Sequence, residues 1–388
     1  MFKENTILIK RKQKHSDKYL KRISCSNDWY AIIIVILIII LSFQFLILII
    51  VFERNKKTNI NTNNNIYNNK NTNNNKIKER LFLYREDNNN SNETNKTKIH
   101  IAMALDNNGI FITIVSMTSA LENNNKEKNI LIYHLLLSHD FDLEKIDYFE
   151  SLKEKYDFRI NYYVIPDIFN NIKKWKYTIT VYYKLLLPLI FPDYERIIFL
   201  DSDTLIFKDI SEMFNLPFND NYVLGYPFHT PWMLKINGKH PKIYINGGVL
   251  LININKIRKD NKEFELIQFT RNNSKNLFFL EQDGINYVFH EKIGLLPLKY
   301  GIYLYGNITE YQKEYSYKLY IKLDLKELEK AIEDPSIVHL CCCNPKVWYK
   351  NTKHENHFNH TCKRFQKEFY FYANKTKFYD AMYNKYMK

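Results

Sequence analysis

The sequence predicts an α/β domain built on a single mixed, mostly parallel sheet flanked by helices, preceded by one transmembrane helix. Three observations predict it. From residue 99 onward, apolar runs of strand length alternate with stretches of helical length, as in a parallel sheet covered on both faces. The run at 197–200, Ile-Ile-Phe-Leu, shows no polar alternation, as expected of a strand buried on both sides. Residues 31–52 are apolar and carry no charge, with Ser42 and Gln44 their only polar members, and the span is long enough to cross a bilayer.

Taken in order, residues 1–30 form a basic tail in which Lys3, Lys10, Arg11, Lys12, Lys14, Lys18, Lys21 and Arg22 outweigh Glu4, Asp17 and Asp28. A secretory signal peptide would have a shorter apolar region followed by small residues. Val51-Phe52-Glu53-Arg54 is a poor cleavage site. The segment at 31–52 reads as a signal anchor. Its basic flank places the N-terminus in the cytoplasm and the bulk of the chain in the lumen of the secretory pathway, with the Golgi as the expected address of this single-pass type II protein. Residues 53–98, rich in Asn, Lys and Thr, cannot bury enough surface to fold and read as a disordered stem. Asn89, Asn92, Asn95, Asn272, Asn307, Asn359 and Asn374 each open an N-x-Ser/Thr sequon. Chance produces several of these in an Asn-rich chain, and they are compatible with a lumenal address.

The folded domain is expected over 99–350. Strands are predicted at 99–105, 129–137, 157–165, 197–200, 222–226, 248–254 and 337–340. Helices are predicted at 110–122, 175–191 (stopping at Pro192), 264–271 and 280–290. Asp106-Asn107-Asn108-Gly109 reads as the polar turn closing the first strand. Residues 351–388, basic and Tyr-rich, read as a helical closing segment.

Composition narrows the function. The chain of 388 residues carries a formal charge of +14, but without a recognisable reading element the charge does not indicate nucleic acid as a partner. Neither a G-x-G-x-x-G fingerprint nor a Walker A loop is present, which speaks against a dinucleotide-binding Rossmann domain and a P-loop NTPase.

The most informative stretch is 196–207, RIIFLDSDTLIF. Asp201 and Asp203 are placed at the C-terminal end of the buried strand, where ligands collect in open α/β sheets. Two carboxylates one residue apart can share Mg²⁺ or Mn²⁺ and leave coordination positions to substrate phosphates. The plainer alternative is a turn, since Asp and Ser are common after strands. Asn246-Gly247-Gly248 marks either a simple turn or a backbone that a ligand approaches closely. Glu281-Gln282-Asp283 is the kind of triplet a solvated helix face carries, and a lone His339 is more often structural than a ligand. Cys341, Cys342, Cys343 and Cys362 would lie in the lumen, where disulfides persist, whereas Cys25 would face the cytoplasm. Three adjacent cysteines lack zinc-site spacing, so pairing of Cys362 with one of the three is favoured over a metal.

Five blocks in order resemble the glycogenin-like family 8 glycosyltransferases, which include bacterial lipopolysaccharide galactosyl- and glucosyltransferases. They are IAMALDNN (101–108), RIIFLDSDTLI (196–206), YINGGVLLINI (244–254), EQDGINYVF (281–289) and IVHLCCCNPKVW (337–348), and the resemblance runs from about Ile99 to Tyr349, about two-thirds of the chain. The resemblance implies a GT-A fold, a nucleotide-sugar donor, commonly UDP-linked, a glycan or glycoprotein acceptor, Mn²⁺ (or Mg²⁺), and transfer with retention of anomeric configuration. It implies Asp201, Asp203 and His339 as metal ligands. It places Asp106 and Asn108 on the nucleoside, Ser202 at the nucleotide, and Lys346 on the diphosphate. Asn246, Gly247, Lys184, Glu281 and Gln282 fall near the transferred sugar. The pattern departs from the family where Lys184 replaces an Arg, Glu281 a shorter Asp, and Gly109 an aromatic. Three cysteines also stand where the last block has a Gly. Two readings from other classes remain beside this one: a degenerate member that binds nucleotide or glycan without turnover, and a membrane-tethered scaffold whose Asp-Ser-Asp is only a turn.

Overall fold

The parallel centre of the sheet forms because its strands are apolar on both sides. β2 (Thr97–Leu105) sends Ile99, Ile101, Met103 and Leu105 into one core and Ala102 into the other. β3 (Asn129–Leu137) is buried at every position. In β5 (Arg196–Leu200), Ile198 and Leu200 face the first core, and Ile197 and Phe199 the second. Fully burying side chains of this size contributes about 1.5–3 kcal/mol each. Continuous apolar runs are therefore required here.

The computed structural model describes residues 84–85, 95–169, 172, 178–228, 241, 243–303, 325–343, 346–349 and 360–386. The segments expected as tail (1–30) and anchor (31–52), most of the expected stem and residues 351–359 of the closing segment lie outside the described residues. Among the described residues no helix is long and apolar enough to cross a membrane.

The remaining strands of the main sheet are β1 (Tyr84–Arg85), β4 (Arg159–Val164), β7 (Val223–Pro227), β8 (Ile245–Asn253) and β9 (Ile293–Leu295). Their order is β1-β4-β3-β2-β5-β8-β7-β9. β2 to β5 run parallel where they pair, whereas β8 is antiparallel to both neighbours. α1 (Ile110–Asn123) packs Ile114 and Met117 on one face of the sheet, and α3 (Leu280–Val288) packs Ile285 on the other. α2 (Lys262–Asn273) lies against α3.

The single sheet expected from the sequence is joined by a second of three strands, in the order β10 (Tyr300–Tyr303), β11 (Ile337–His339), β6 (Thr204–Ile206). It forms because the chain leaves β5 through Asp201–Asp203 and immediately re-enters extended structure. β11 then pairs antiparallel with β6, setting His339 opposite Thr204.

Three other expectations need correction. The segment at 175–191 is not one α-helix. Residues 175–177 lie outside the described residues, Ile179–Leu186 winds as 3₁₀ turns, and only Leu187–Ile190 is α. β-branched Ile179, Thr180 and Val181 are stiff in a helix, and Pro188 lacks an N–H but is tolerated in a first turn. The strand predicted from Gly248 begins earlier, at Ile245, so Asn246 and Gly247 lie within β8 and not in a turn before it. Glu281, Gln282 and Asp283 are buried rather than on a solvated face, because α3 turns them toward β8.

After α4 (Leu325–Glu333), the closing segment forms α5 (His360–Ala373) and α6 (Tyr379–Tyr386). A third core gathers Phe365, Phe369 and Tyr372 with Val338, Leu340 and Trp348. Cys362 pairs with Cys343, closing a separation of 19 residues.

Candidate metal and donor site

β5 ends at Leu200, but its ladder runs one residue further. The Asp201 N–H donates to the Gly248 carbonyl at 2.8 Å. The Asp203 carbonyl accepts the Leu340 N–H at 2.8 Å, which fixes the end of β11 beside the Asp-Ser-Asp turn. Sheet pairing thus brings together residues 136 positions apart. His339 Nε2 lies 3.2 Å from Asp203 Oδ1 and 3.6 Å from Asp201 Oδ2. One ligand atom from each of the three residues falls within 4.8 Å of the others.

Two features show that this set fits a divalent cation. Asn246 Oδ1 accepts the Gly248 N–H at 2.8 Å, which identifies it as the oxygen, and His339 Nδ1 sits 3.0 Å from it. An amide oxygen only accepts, so Nδ1 carries a hydrogen and Nε2 is the ring atom left facing the two carboxylates, where it could ligate a cation. A Cβ on Gly248 would lie 2.1 Å from His339 Cε1 and 2.7 Å from Asp201 Oδ2, so only glycine leaves room for these groups. Two carboxylates and one imidazole form a mixed O/N set of the kind that holds a divalent cation.

Lys346 Nζ lies 2.8 Å from Asp203 Oδ2 and also donates to the carbonyls of Leu340 and Cys341, at 3.2 and 3.0 Å. Burial opposes the charge on Asp203, but Lys346 and His339 outweigh it and hold this carboxyl well below the usual carboxylate range.

A buried polar layer lies behind the cluster. Lys184, its side chain 1% exposed, donates to the Gly247 carbonyl at 2.8 Å, to Glu281 Oε1 at 3.0 Å and to Asp201 Oδ1 at 3.3 Å. Burial alone would lower its pKa, but Asp201 and Glu281 hold it above the ordinary lysine value. Gln282 Oε1 accepts the Gly247 N–H at 2.8 Å, and its amide nitrogen donates to the Tyr244 hydroxyl at 3.3 Å. Tyr244 in turn donates to Asp283 Oδ1 at 2.6 Å. Asn286 brackets Ile245 by accepting its N–H and donating to its carbonyl, both at 2.8 Å. The amide expected at the donor sugar is therefore engaged, through its oxygen and one N–H, in shaping β8. Asn286 is absent from the sequence reading, and Asp283 enters it only as part of a solvated triplet. Their spacing from Gln282, one and four residues on, places all three on one side of a helix and was the available signal.

At the far end, Asp106 Oδ1 accepts the N–H groups of Asn108 and Gly109 at 2.8 and 3.2 Å, making the turn after β2. Ser202 links this turn to the cluster, because its hydroxyl lies 2.8 Å from that of Thr113 in the first turn of α1. Every residue expected from sequence thus lies along the C-terminal edge of the sheet or in the layer beneath it.

The model for "Glycosyl transferase family 8" matches residues 100–352. General stress protein A of Bacillus subtilis is 25% identical over 200 residues, 46% of this chain and 62% of that protein. Lipopolysaccharide 1,2-glucosyltransferase of Escherichia coli is 25% identical over 230 residues, 56% of this chain and 66% of that protein. The chain thus spans somewhat under two-thirds of these relatives. The solved structure of the galactosyltransferase LgtC, in complex with donor and acceptor sugar analogs, covers 72% of this chain and 96% of its own, with a TM-score of 0.57 at 17% identity. That likeness establishes a GT-A type α/β fold.

Proposed function

The chain belongs to glycosyltransferase family 8, and from that premise we propose that it is a metal-dependent, retaining glycosyltransferase. It would move a hexose or another sugar from a nucleotide donor, UDP-linked, to a glycan or glycoprotein acceptor. The observation that carries this reading is the convergence of Asp201, Asp203 and His339 around Gly248, with Lys346 alongside. In the reaction the bond from the anomeric carbon to the diphosphate oxygen breaks, the electron pair leaves with the nucleoside diphosphate, and an acceptor hydroxyl forms the new bond and loses its proton. A Mn²⁺ or Mg²⁺ bound at the site supplies charge neutralisation of the departing diphosphate.

The chain's own residues do the rest. Asn246 orients His339, and Asp201 and Asp203 provide the negative pole. Lys346, within reach of Asp203, supplies a cation that a diphosphate oxygen can replace as partner. Lys184 places a buried positive charge beneath Asp201 and pins the Gly247 backbone, while Gln282 and Tyr244 keep that backbone in register. Asp106, Asn108 and Ser202 form the nucleoside end.

Anchoring by 31–52, with the domain in the Golgi lumen, is part of the same proposal and is supported by the basic flank and the sequons. Protease protection on sealed vesicles should leave a tag after Lys388 intact and digest one at the N-terminus. The activity is tested by UDP release from a panel of UDP-sugars with and without Mn²⁺, for wild type and Asp203→Asn. Metal-dependent release lost in the variant supports the reading. Tight UDP binding without turnover would mark a degenerate member instead.

A further inference from the structure

The closing segment lies mostly beyond the family-matched residues 100–352, yet it reaches both ends of the donor site. At the diphosphate end, α5 holds the loop that carries Lys346. Gln366 donates to the carbonyls of Val347 and Tyr349 at 2.9 and 3.2 Å, Tyr370 donates to the Trp348 carbonyl at 2.6 Å, and Cys362 is bonded to Cys343. At the nucleoside end, the Tyr386 hydroxyl donates to the Asn108 carbonyl at 3.2 Å across 278 positions. Tyr349 joins the two ends. It follows Lys346 by three residues, meets the Tyr386 ring edge to face at 5.5 Å, and remains 46% exposed. A large aromatic ring left open beside a diphosphate lysine offers a flat apolar face to a base.

An independent observation points the same way. The Tyr183 hydroxyl is buried and has no hydrogen-bond partner among the described residues. Its ring stacks on Phe169 and shares a core with Leu136 and Ile165, at the C-terminal ends of β3 and β4; burial raises its pKa, and Asp167, Asp140 and Asp106 raise it further. A buried donor without a protein acceptor is costly unless a ligand or water meets it.

We propose that the closing segment completes the nucleoside end of the donor site. Tyr349 provides a stacking face for the base, and Tyr386 acts as a positioning residue that fixes Asn108. The ligand is the nucleoside half of a nucleoside diphosphate, so the inference rests on the donor reading above.

The test separates nucleoside from diphosphate. Binding of UDP and of inorganic pyrophosphate, each with Mn²⁺, is measured by calorimetry on the full chain in detergent for wild type, Tyr349→Ala, Tyr386→Ala and Tyr386→Phe. The two alanine variants should raise the Kd for UDP about tenfold, the scale of one lost aromatic–base contact, and leave the Kd for pyrophosphate within about twofold. Tyr386→Phe keeps the ring and should show a smaller rise at an unchanged melting temperature. Unchanged UDP affinity in both alanine variants, or equal weakening of UDP and pyrophosphate, overturns the inference while the donor reading stands. Failure of the wild type to bind UDP with Mn²⁺ overturns both.

Discussion

Gly248 and His339 occupy adjoining space that a single methyl group would close, since a Cβ at 248 would fall 2.1 Å from His339 Cε1. Gly248→Ala should fold, because the neighbouring ring can swing away, but the ring would then no longer face Asp201 and Asp203. A fall of about 10–100-fold in Mn²⁺ affinity is expected, as for other disturbances of ligand orientation, with activity lost in proportion. Titration of Mn²⁺ into the variant, with circular dichroism as the folding control, checks this.

Asn246 fixes the same ring from its other side. Asn246→Leu keeps the volume and removes the oxygen that selects the Nδ1–H form. It should weaken Mn²⁺ on the order of tenfold or more while leaving the affinity for metal-free UDP unchanged. Equal Mn²⁺ affinities in wild type and variant would show that ring orientation does not depend on Asn246.

Gln282 links chemistry to architecture. Because its oxygen holds the Gly247 N–H, Gln282→Ala should leave a buried donor unpaired and cost about 1–3 kcal/mol of stability, along with a drop in kcat. Thermal unfolding monitored beside steady-state kinetics decides the point. A lower kcat at an unchanged melting temperature would mean that the amide acts on the donor alone.

A second group of titratable residues lies away from the site. His100 Nδ1 is 3.1 Å from His134 Nε2, with Tyr194 against the His100 ring and Tyr163 beside His134. Burial, aided by Lys98, pushes the His100 pKa down to about 4. Burial, aided by His100, lowers that of His134 as well. Both are therefore neutral when folded, whereas the unfolded chain takes up protons near pH 6.5. Stability is full above about pH 6.5 and declines as pH falls toward about 4. His100 alone accounts for a loss on the order of 2–3 kcal/mol. Urea unfolding across this range should show the decline, and His100→Gln should flatten it.

Much of the site could be read locally. The apolar run into Asp201 and Asp203 marks β5 and its edge, and β3 was delimited to the residue, because strands buried on both faces leave an unbroken apolar signature. The second sheet is legible only in part: β11 falls within the strand predicted at 337–340, but the sheet it joins is not. β6 and β11 are three residues each, and their pairing depends on a contact between distant segments. The glycine pair leaves a turn and a close approach to the backbone equally open, because glycine serves both; the second holds at Gly248, which clears space inside a strand. The buried face of α3 was masked by its charged residues. Glu281 is tolerated inside only because Lys184 meets it. The contact of Tyr386 with Asn108 spans 278 positions and has no local signature.

The Cys343–Cys362 bridge makes the catalytic face sensitive to where the chain matures. A covalent loop of this span contributes roughly 3 kcal/mol, and here it ties the Lys346 loop to the helix beneath it. The same polypeptide produced among reduced thiols would keep β5, β8 and the Asp201–Asp203–His339 set, all of which are held by hydrogen bonds and packing. It would lose the tether that holds the Lys346 loop against α5. Material from a reducing host and material from an oxidising one should therefore match in Mn²⁺ affinity and differ in their grip on the nucleotide, so that donor affinity records the redox history of the preparation.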